Sequence, residues 1–370
     1  MDLLNAITLV KPTGFWSSII FGMEGAVKNY ALALILVTII IKLVMVPLDF
    51  VNRYTSKKSA RKQAEIKPEL DKLNAKYAND KNALNQKTMA LYKSHNYNIT
   101  GTCFGMLAYL VLTMVVFWTL FGALNKISAY KIGDQYLQVR KEYFAEYSID
   151  VDSLGNEEDL MTVYESKIAE LTTGLSDEEK VQVLEEKASS ANTKAKAKYD
   201  EVANSFLWIK NIWLADSTVN PVMKYSDFIK KSTIKTEQVS EAEYNLVISP
   251  MRDSERKNNG LFILAVLAAG INYLSYAVNN WISVARAKKK GLDPKLAANN
   301  SNKALTIVMP IIMGIFTLFY NAAFGLYIVA GALITLVTSP LVPTFVDMLE
   351  YDAITKEKEK TVAIYDRKRK

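Results

Sequence analysis

A lysine lies inside an apolar run that is long enough to cross a lipid bilayer. Lys42 is the only charged residue between Tyr30 and Pro47, and a charge at that depth costs roughly 3 kcal/mol on insertion scales. Thr38 comes one helical turn earlier, so its hydroxyl lies on the same helix face as the ammonium. The pair predicts a site inside the membrane at which the ammonium meets water, an acidic partner or a bound substrate.

A second polar stripe lies in another apolar run. Asn272, Ser275 or Tyr276, and Asn279 follow helical spacing, which puts amides and hydroxyls on one side of a helix. These groups could line a wet cavity or form interhelical hydrogen bonds, which contribute about 1 kcal/mol each. The pattern alone does not choose between these readings, but a lysine in the same bundle favours the cavity.

Several other kinds of chemistry are not expected from this chain. Its only cysteine is Cys103 and its only histidine is His95, which argues against an internal disulfide or a metal centre built from these residues. No glycine-rich loop of the kinds that bind nucleotide phosphates is present. We therefore expect neither an enzyme nor a bound cofactor.

Five apolar runs must position the polar groups, at 30–50, 104–124, 260–284, 304–320 and 322–342. Each is close to the ~20 residues that span the hydrocarbon core as a helix. The sequence thus predicts an all-α integral membrane protein with five transmembrane helices. No cleavable signal is predicted in the first 28 residues, so the first span should also act as the targeting signal.

Charge predicts how these spans are oriented. Residues 51–100 carry 11 basic and 4 acidic side chains, and residues 285–303 carry 6 and 1. Short basic loops stay cytoplasmic, so both segments and the tail, 343–370, are predicted inside. Residues 1–29 and 126–259 are then outside. We expect a multi-pass protein of the bacterial cell membrane with its N-terminus outside and its C-terminus in the cytoplasm.

The cytoplasmic segment 51–100 is predicted to form a helical hairpin that breaks at 78–80. Apolar residues of the second helix, Leu84, Met89, Leu91 and Tyr92, should pack against the first helix. The basic face left outside is either simply solvated or contacts anionic lipid or nucleic acid. Its cations are Arg53, Lys57, Lys58, Arg61, Lys62 and Lys72.

Three outer segments have distinct predictions. Residues 14–28 should form a short helix in the outer membrane interface. Residues 127–205 are charged and poor in proline and glycine, and they predict two or three helices outside the membrane. Residues 205–216 are dense in aromatic and aliphatic side chains, and we expect them to lie along the outer interface.

Taken together, these segments resemble the YidC family of membrane protein insertases. Lysine stands at position 42, where the family's groove usually has arginine, and Asn272 stands where glutamine is frequent. The prolines of the family's second span are missing from 101–111, and residues 127–205 have no counterpart in the resemblance. The matching segments are 27–48, 66–70, 76–77, 89–93, 206–210, 309–313 and 325–327.

The resemblance implies a five-helix insertase core with a hydrophilic groove and a cytoplasmic helical hairpin. To this core the chain is predicted to add an extended extracytoplasmic helical insertion. The groove residues implied are Lys42, Thr38, Asn272, Ser275 and Tyr327. Nascent membrane proteins are the implied clients. The ribosome is an expected partner through Arg367, Lys368, Arg369 and Lys370, whose side chains could contact RNA phosphates. Anionic lipids are expected partners, the Sec translocon is a candidate partner, and DNA is not expected.

Two other function classes remain open. A small-anion transporter or channel could use Lys42 as its binding charge, but no inverted repeat is detectable in the chain. A scaffold could use the spans only as an anchor for the outer helices. Such an anchor would need neither Lys42 nor a basic hairpin.

Overall fold

The computed structural model describes residues 7, 9–97, 99–154, 159–254, 258–289 and 303–368. Within them the regular elements are helices, accompanied by one isolated bridge between Phe206 and Ile209. This confirms the all-α prediction. The helices are α1 (Phe15–Val27), α2 (Tyr30–Lys76), α3 (Lys81–Ser94), α4 (Ile99–Ala145), α5 (Leu160–Thr172), α6 (Asp177–Val202), α7 (Tyr225–Lys231), α8 (Glu241–Ser254), α9 (Ile263–Lys289), α10 (Lys303–Phe319) and α11 (Ala322–Lys368).

The chain divides into two compact units, and the helices α2, α4, α9 and α11 each contribute residues to both. Unit 1 comprises Met1–Thr38, Thr119–Tyr273 and Asn302–Ala332. Unit 2 comprises Ile39–Trp118, Leu274–Ser301 and Leu333–Lys370. Lys42 and Ser275 belong to unit 2, whereas Thr38, Asn272 and Tyr327 belong to unit 1.

Several helix ends are fixed by local hydrogen bonds that the sequence encodes. The Asp80 carboxylate accepts from the backbone N–H of Ala83 at 2.9 Å and starts α3. Ser176 and Glu179 form a capping box at the start of α6. Asn321 lies in the short turn between α10 and α11, and its side chain accepts from the backbone N–H of Phe324 at 2.9 Å. Such caps satisfy N–H groups that have no partner within the helix.

Four helical stretches of the described chain are long and apolar enough to cross a membrane: Tyr30–Ser56, Phe104–Ala145, Ile263–Arg286 and Ala322–Val346. The remaining predicted span, 304–320, corresponds to α10, an apolar helix of 17 residues that is shorter than these four. The exact five-helix core therefore stays a prediction.

The four helices that contain these stretches all continue past the predicted ends of their spans. Helix α2 runs through residue 50 as far as Lys76, and α4 runs through residue 124 as far as Ala145. Proline does not end α2, which contains both Pro47 and Pro68. Apolar runs mark where a helix can lie in lipid, but they do not mark where it ends.

The hairpin's second helix differs from its predicted apolar stripe. Leu84, Leu91 and Tyr92 are half-buried, but Met89 is 62% exposed. The half-buried Thr88 occupies the inward position instead, four residues after Leu84. The prediction for Met89 was wrong because 89 falls off the i, i+4, i+7 face on which the other residues lie.

Residues 127–205 are not a block separate from the rest of unit 1. Their first part is the end of α4, where Ile127, Ile132 and Val139 are buried. Tyr199 of α6 donates a hydrogen bond to the backbone carbonyl of Pro221. The helices of this region therefore contribute to the core of unit 1, and deleting 127–205 would remove part of that core.

Helices α9 and α10 approach each other closely within unit 1. A Cβ atom placed on Gly314 would lie 3.1 Å from the carbonyl oxygen of Ala265 and 3.1 Å from the Cβ of Ala269. Small residues at such a crossing bring two helix backbones together and increase their van der Waals contact. A side chain at 314 would therefore require α9 to shift by a few tenths of an ångström.

Candidate functional site

Lys42 is half-buried on α2, and its ammonium points toward α11 of the same unit. Its Nζ atom lies 3.4 Å from the hydroxyl oxygen of Thr335, at the long end of the hydrogen-bond range. The polar contact that the described structure gives Lys42 is thus to a neutral hydroxyl rather than a carboxylate. Such a contact compensates little of the cost of placing a charge in an apolar span.

Thr38 makes its hydrogen bond within its own helix. Its side chain is buried, and the hydroxyl donates to the carbonyl oxygen of Leu34 at 2.7 Å. Back-bonding of this kind is common for threonine in membrane helices. The hydroxyl therefore has a partner other than Lys42.

The residues of the polar stripe on α9 differ in their burial and in their hydrogen-bond partners. Asn272 donates to the carbonyl oxygen of Ala268 in its own helix at 2.7 Å. Ser275 is buried, whereas Tyr276 is exposed, so Ser275 takes the inward position of the two residues the sequence left open. Tyr327 is half-buried, with its ring centroid 5.9 Å from that of Phe324. A groove shared by these residues and Lys42 remains a prediction.

Two cations of the predicted basic face are held within unit 2. Arg53 forms an ion pair with Asp49 of the preceding turn at 2.8 Å. Lys62 donates to the backbone carbonyl of Asn96 at 2.9 Å. Each of these two cations thus contacts an acceptor on its own unit, and binding of the basic face to lipid or nucleic acid stays a prediction. Lys58 and Lys72 are exposed, as expected.

Several predicted contact residues lie outside what the structure describes. Lys57, Arg61, Arg367 and Lys368 are helical, but their side chains are outside the described part. Arg369 and Lys370 lie outside the described residues altogether.

The second half of segment 205–216 is buried in the protein, whereas Leu207 near its start is exposed. Ile209, Ile212, Trp213 and Leu214 are all buried. The Trp213 ring packs against that of Tyr30, with 4.7 Å between the centroids. Aromatic density at these residues therefore marks protein core, and the position of the segment at the outer interface stays a prediction.

A buried polar hub, formed by Asn211, Asp216 and Asn259, holds this segment in unit 1. The Asn259 amide accepts from the Asn211 backbone N–H at 2.8 Å and donates to the Asn211 carbonyl at 2.9 Å. It also donates to the carbonyl oxygen of Ala215 at 3.0 Å. One side chain thereby satisfies backbone groups at two points of an irregular, buried segment, as burial of such groups requires.

Asp216 connects the hub to the start of α9. Its carboxylate accepts from the Trp208 indole N–H at 3.2 Å and from the backbone N–H of Leu264 at 2.9 Å. A negative charge at a helix N-terminus is favourable because the first N–H groups point toward it. A Cβ on Gly260 would lie 1.7 Å from an oxygen of the same carboxylate, so this position requires glycine.

The sequence reasoning missed the hub. Its available signal was the occurrence of Asn211 and Asp216 within an otherwise apolar, aromatic stretch. Polar residues in such a stretch indicate buried backbone that helices or strands do not satisfy. Their partner Asn259 lies 48 residues after Asn211 and has no local pattern that would identify it.

A second buried polar group joins α4 to α8. The Arg140 guanidinium lies 2.7 Å from the Glu243 carboxylate, which also accepts from the Tyr136 hydroxyl at 2.8 Å. Burial raises the pKa of Glu243, although the guanidinium and the hydroxyl both act to lower it. The group connects two helices of unit 1, at a place where the sequence reasoning identified no site.

Two lysines of α6 form hydrogen bonds with an acidic residue that directly follows α4. Glu146 receives hydrogen bonds from Lys194 at 2.6 Å and from Lys187 at 3.4 Å. The hydrogen bond from Lys194 is the main reason that the pKa of Glu146 is lowered. These contacts attach α6 to α4.

The fold and its apolar helices define a multi-pass α-helical membrane protein. The family model described as 60Kd inner membrane protein matches residues 22–347. The chain belongs to this family, which is the YidC family that the sequence resembles.

Curated relatives agree over shorter stretches. The protein named membrane protein insertase YidC from Fusobacterium nucleatum is 39% identical over 94 residues, which are 25% of this chain and 44% of that protein. Proteins of the same name from Anaeromyxobacter dehalogenans and Geobacter sulfurreducens are each 36% identical, over 103 and 96 residues. These matches cover 28% and 26% of this chain and 17% of each relative. The matched stretches thus span less than half the length of these relatives. No solved structure matches the chain.

Proposed function

We propose that this protein is a membrane protein insertase. In this proposal, clients pass polar tails or short loops through a hydrophilic groove within the membrane and release their apolar segments into lipid. The observation that carries the proposal is the half-buried ammonium of Lys42, in an apolar helix, 3.4 Å from a hydroxyl. The family supports it, since relatives in that family are named insertases.

The groove would act by reducing the cost of moving polar groups through hydrocarbon. Lys42 would pair transiently with acidic residues of a client tail, and water in the groove would shorten the apolar distance that the tail crosses. Thr38, Asn272, Ser275 and Tyr327 are the proposed groove walls. The client's own apolar segment then enters lipid, and its burial supplies ~25 cal/mol per Å². No nucleotide hydrolysis by this chain is needed for that step.

The weak contact of Lys42 suits such a role. An ammonium that already formed a buried ion pair would have to break it before receiving a client carboxylate. A hydroxyl at 3.4 Å can be replaced at small cost. Lysine in place of arginine presents a compact charge with flexible reach, rather than a planar fork suited to two simultaneous bonds.

The proposed orientation places the N-terminus outside and the C-terminus in the cytoplasm of a bacterial cell. The exposed Lys58 and Lys72 would then face anionic lipid or the arriving chain. Arg367, Lys368, Arg369 and Lys370 would contact ribosomal RNA by charge. The Sec translocon is a further proposed partner.

The test is charge reversal at Lys42 in cells depleted of the native protein. Two clients would differ only in an acidic or a neutral translocated tail, and insertion would be followed by protease protection. For Lys42→Glu we expect insertion of the acidic client to fall about tenfold relative to the neutral one, equivalent to about 1.4 kcal/mol. Lys42→Arg should retain the preference, because it keeps the positive charge.

Lys87→Glu is the matched control, since it makes the same change of net charge at an exposed position of α3. Variant levels in the membrane would be equalised. Equal loss of both clients in Lys42→Glu would mean that the lysine has a structural role only.

A further inference from the structure

Unit 1 exposes large apolar side chains around the polar hub. Leu207, Val219 and Phe319 are 76%, 74% and 78% exposed, and Leu261 and Phe262 are exposed as well. Single exposed apolar residues are ordinary on a protein surface, but a contiguous group indicates an interaction site. These five residues are called the apolar rim below.

Hydrogen bonds hold the segments that carry the rim close together. The backbone N–H of Lys210, three residues after Leu207, donates to the carbonyl oxygen of Asn259 at 3.0 Å. The Asn259 N–H donates in turn to the carbonyl oxygen of Thr218 at 2.8 Å, next to Val219.

A third bond brings in the end of α10. The hydroxyl of Ser217 donates to the carbonyl oxygen of Leu318 at 2.7 Å, beside Phe319. Each rim residue therefore lies within three positions of a group bonded in this way, and all five belong to unit 1.

Two rim residues adopt a backbone conformation that their side chains disfavour. The φ angles of Leu207 and Phe262 are +53° and +60°, in the left-handed region that branched and bulky residues rarely occupy. Paired bonds between the backbones of Phe206 and Ile209, both at 2.9 Å, close the turn that presents Leu207. Backbone strain of this kind tends to occur at functional positions, and here it presents apolar side chains outward.

The position of the rim indicates its partner. Leu261 and Phe262 directly precede α9, and Phe319 is the last residue of α10. Side chains further along these helices are exposed too, including Val266 on α9 and Ile315 on α10. The rim is thus continuous with helix surfaces that must face acyl chains, and it lies at the ends where these helices leave them.

We propose that the apolar rim inserts into the acyl-chain and headgroup boundary of the leaflet at this end of α9 and α10. Leu207 and Val219 would enter the lipid from loops, while Phe262 and Phe319 extend the helix surfaces. The hub bonds would hold the loops at that depth. In the proposed orientation this is the outer leaflet, but the inference itself needs only that α9 and α10 lie in a membrane.

The test measures the surroundings of single positions in the full-length protein. Cys103 would be replaced by serine, and a single cysteine would be introduced at Leu207 or Val219 and labelled with a polarity-sensitive fluorophore. The protein would be reconstituted in phosphatidylcholine–phosphatidylglycerol vesicles, with or without brominated acyl chains. Val181→Cys is the matched control, because Val181 is an exposed aliphatic residue on α6, away from the rim.

We expect emission at shorter wavelength and quenching by brominated lipid for labels at 207 and 219, with neither effect at 181. Labels at 207 and 219 that behave like the label at 181 would overturn the proposal. A shift to shorter wavelength without quenching would also overturn it, because a protein partner rather than lipid would then cover the rim. No client is involved, so the result is independent of whether insertion activity is found.

Discussion

The two units satisfy their polar and apolar groups in different ways. Unit 1 buries aromatic side chains such as Tyr143 and Trp213 together with the polar hub, whose hydrogen bonds are mostly 2.8–3.2 Å long. In unit 2, the buried side chains among those described are Ile66, Ser275, Val342 and Val346. Unit 2 therefore has little protein core of its own, and lipid must solvate most of its apolar surface.

The contrast extends to the polar groups themselves. In unit 1 a buried amide makes several short bonds, whereas in unit 2 the contact that the described residues give the Lys42 ammonium is 3.4 Å long. A fully bonded polar network makes a structure rigid and unique. A charge with a weak contact remains available to a ligand. In the proposed function, unit 1 is the rigid support and unit 2 carries the charge that meets the client.

The largest effect should follow from removing the hub amide. Asn259→Ala leaves the backbone N–H and carbonyl of Asn211 without their partner, and each unsatisfied buried group costs about 1–3 kcal/mol. We expect unfolding to be favoured by about 3 kcal/mol in total. Thermal unfolding of the protein in nanodiscs would measure this as a lower midpoint.

Asn245→Ala is the control for that measurement, because Asn245 is exposed on α8 of the same unit. If both variants unfolded at the same temperature, the hydrogen bonds of the hub would not contribute to the stability of unit 1.

A smaller loss of stability is expected when a polar contact is removed from unit 2. Thr335→Val removes the hydroxyl that Lys42 contacts while keeping a similar shape. Polar contacts inside membranes contribute about 0.6 kcal/mol on average, and this one is long, so stability should fall by at most that amount. Insertion of acidic clients should persist, since the ammonium is unchanged. A loss as large as that of Asn259→Ala would contradict the contrast between the units.

The smallest effect concerns pH at the surface of unit 1. The pKa of Glu146 is lowered in the folded protein, so this group stabilises the fold above its unfolded pKa of about 4.3. That contribution is lost as the pH falls through the lowered folded value. Glu146→Gln should therefore show a smaller drop in unfolding midpoint between neutral and acidic pH than the unchanged protein. Equal drops in both would show that the lysine contacts do not contribute.

The sequence predicted the features that follow from local pattern. The helical class, the family and the isolated charge of Lys42 in an apolar span all follow from hydropathy, motif and spacing. Local chemistry also accounts for the start of α3 at Asp80. These features depend on residues within a few turns of one another.

The parts that could not be predicted depend on contacts distant in sequence. Whether Trp213 lies in the membrane interface or against Tyr30 depends on a partner 183 residues away, and either surrounding suits an indole. The Asn211–Asn259 hydrogen bonds likewise join residues that are 48 positions apart, so no local pattern predicts them. Asn272 shows that a local pattern can also be ambiguous. Its amide donates to a carbonyl of its own helix, so a polar stripe does not by itself indicate a cavity.

The close contact at Gly314 limits how α9 and α10 can move relative to each other. With Gly314 seated against Ala265 and Ala269, neither helix can slide along the other without bringing a larger side chain into the crossing. We expect α9 and α10 to move together as one rigid body. In the proposed function, a lateral opening for a departing apolar segment would then form between other helices.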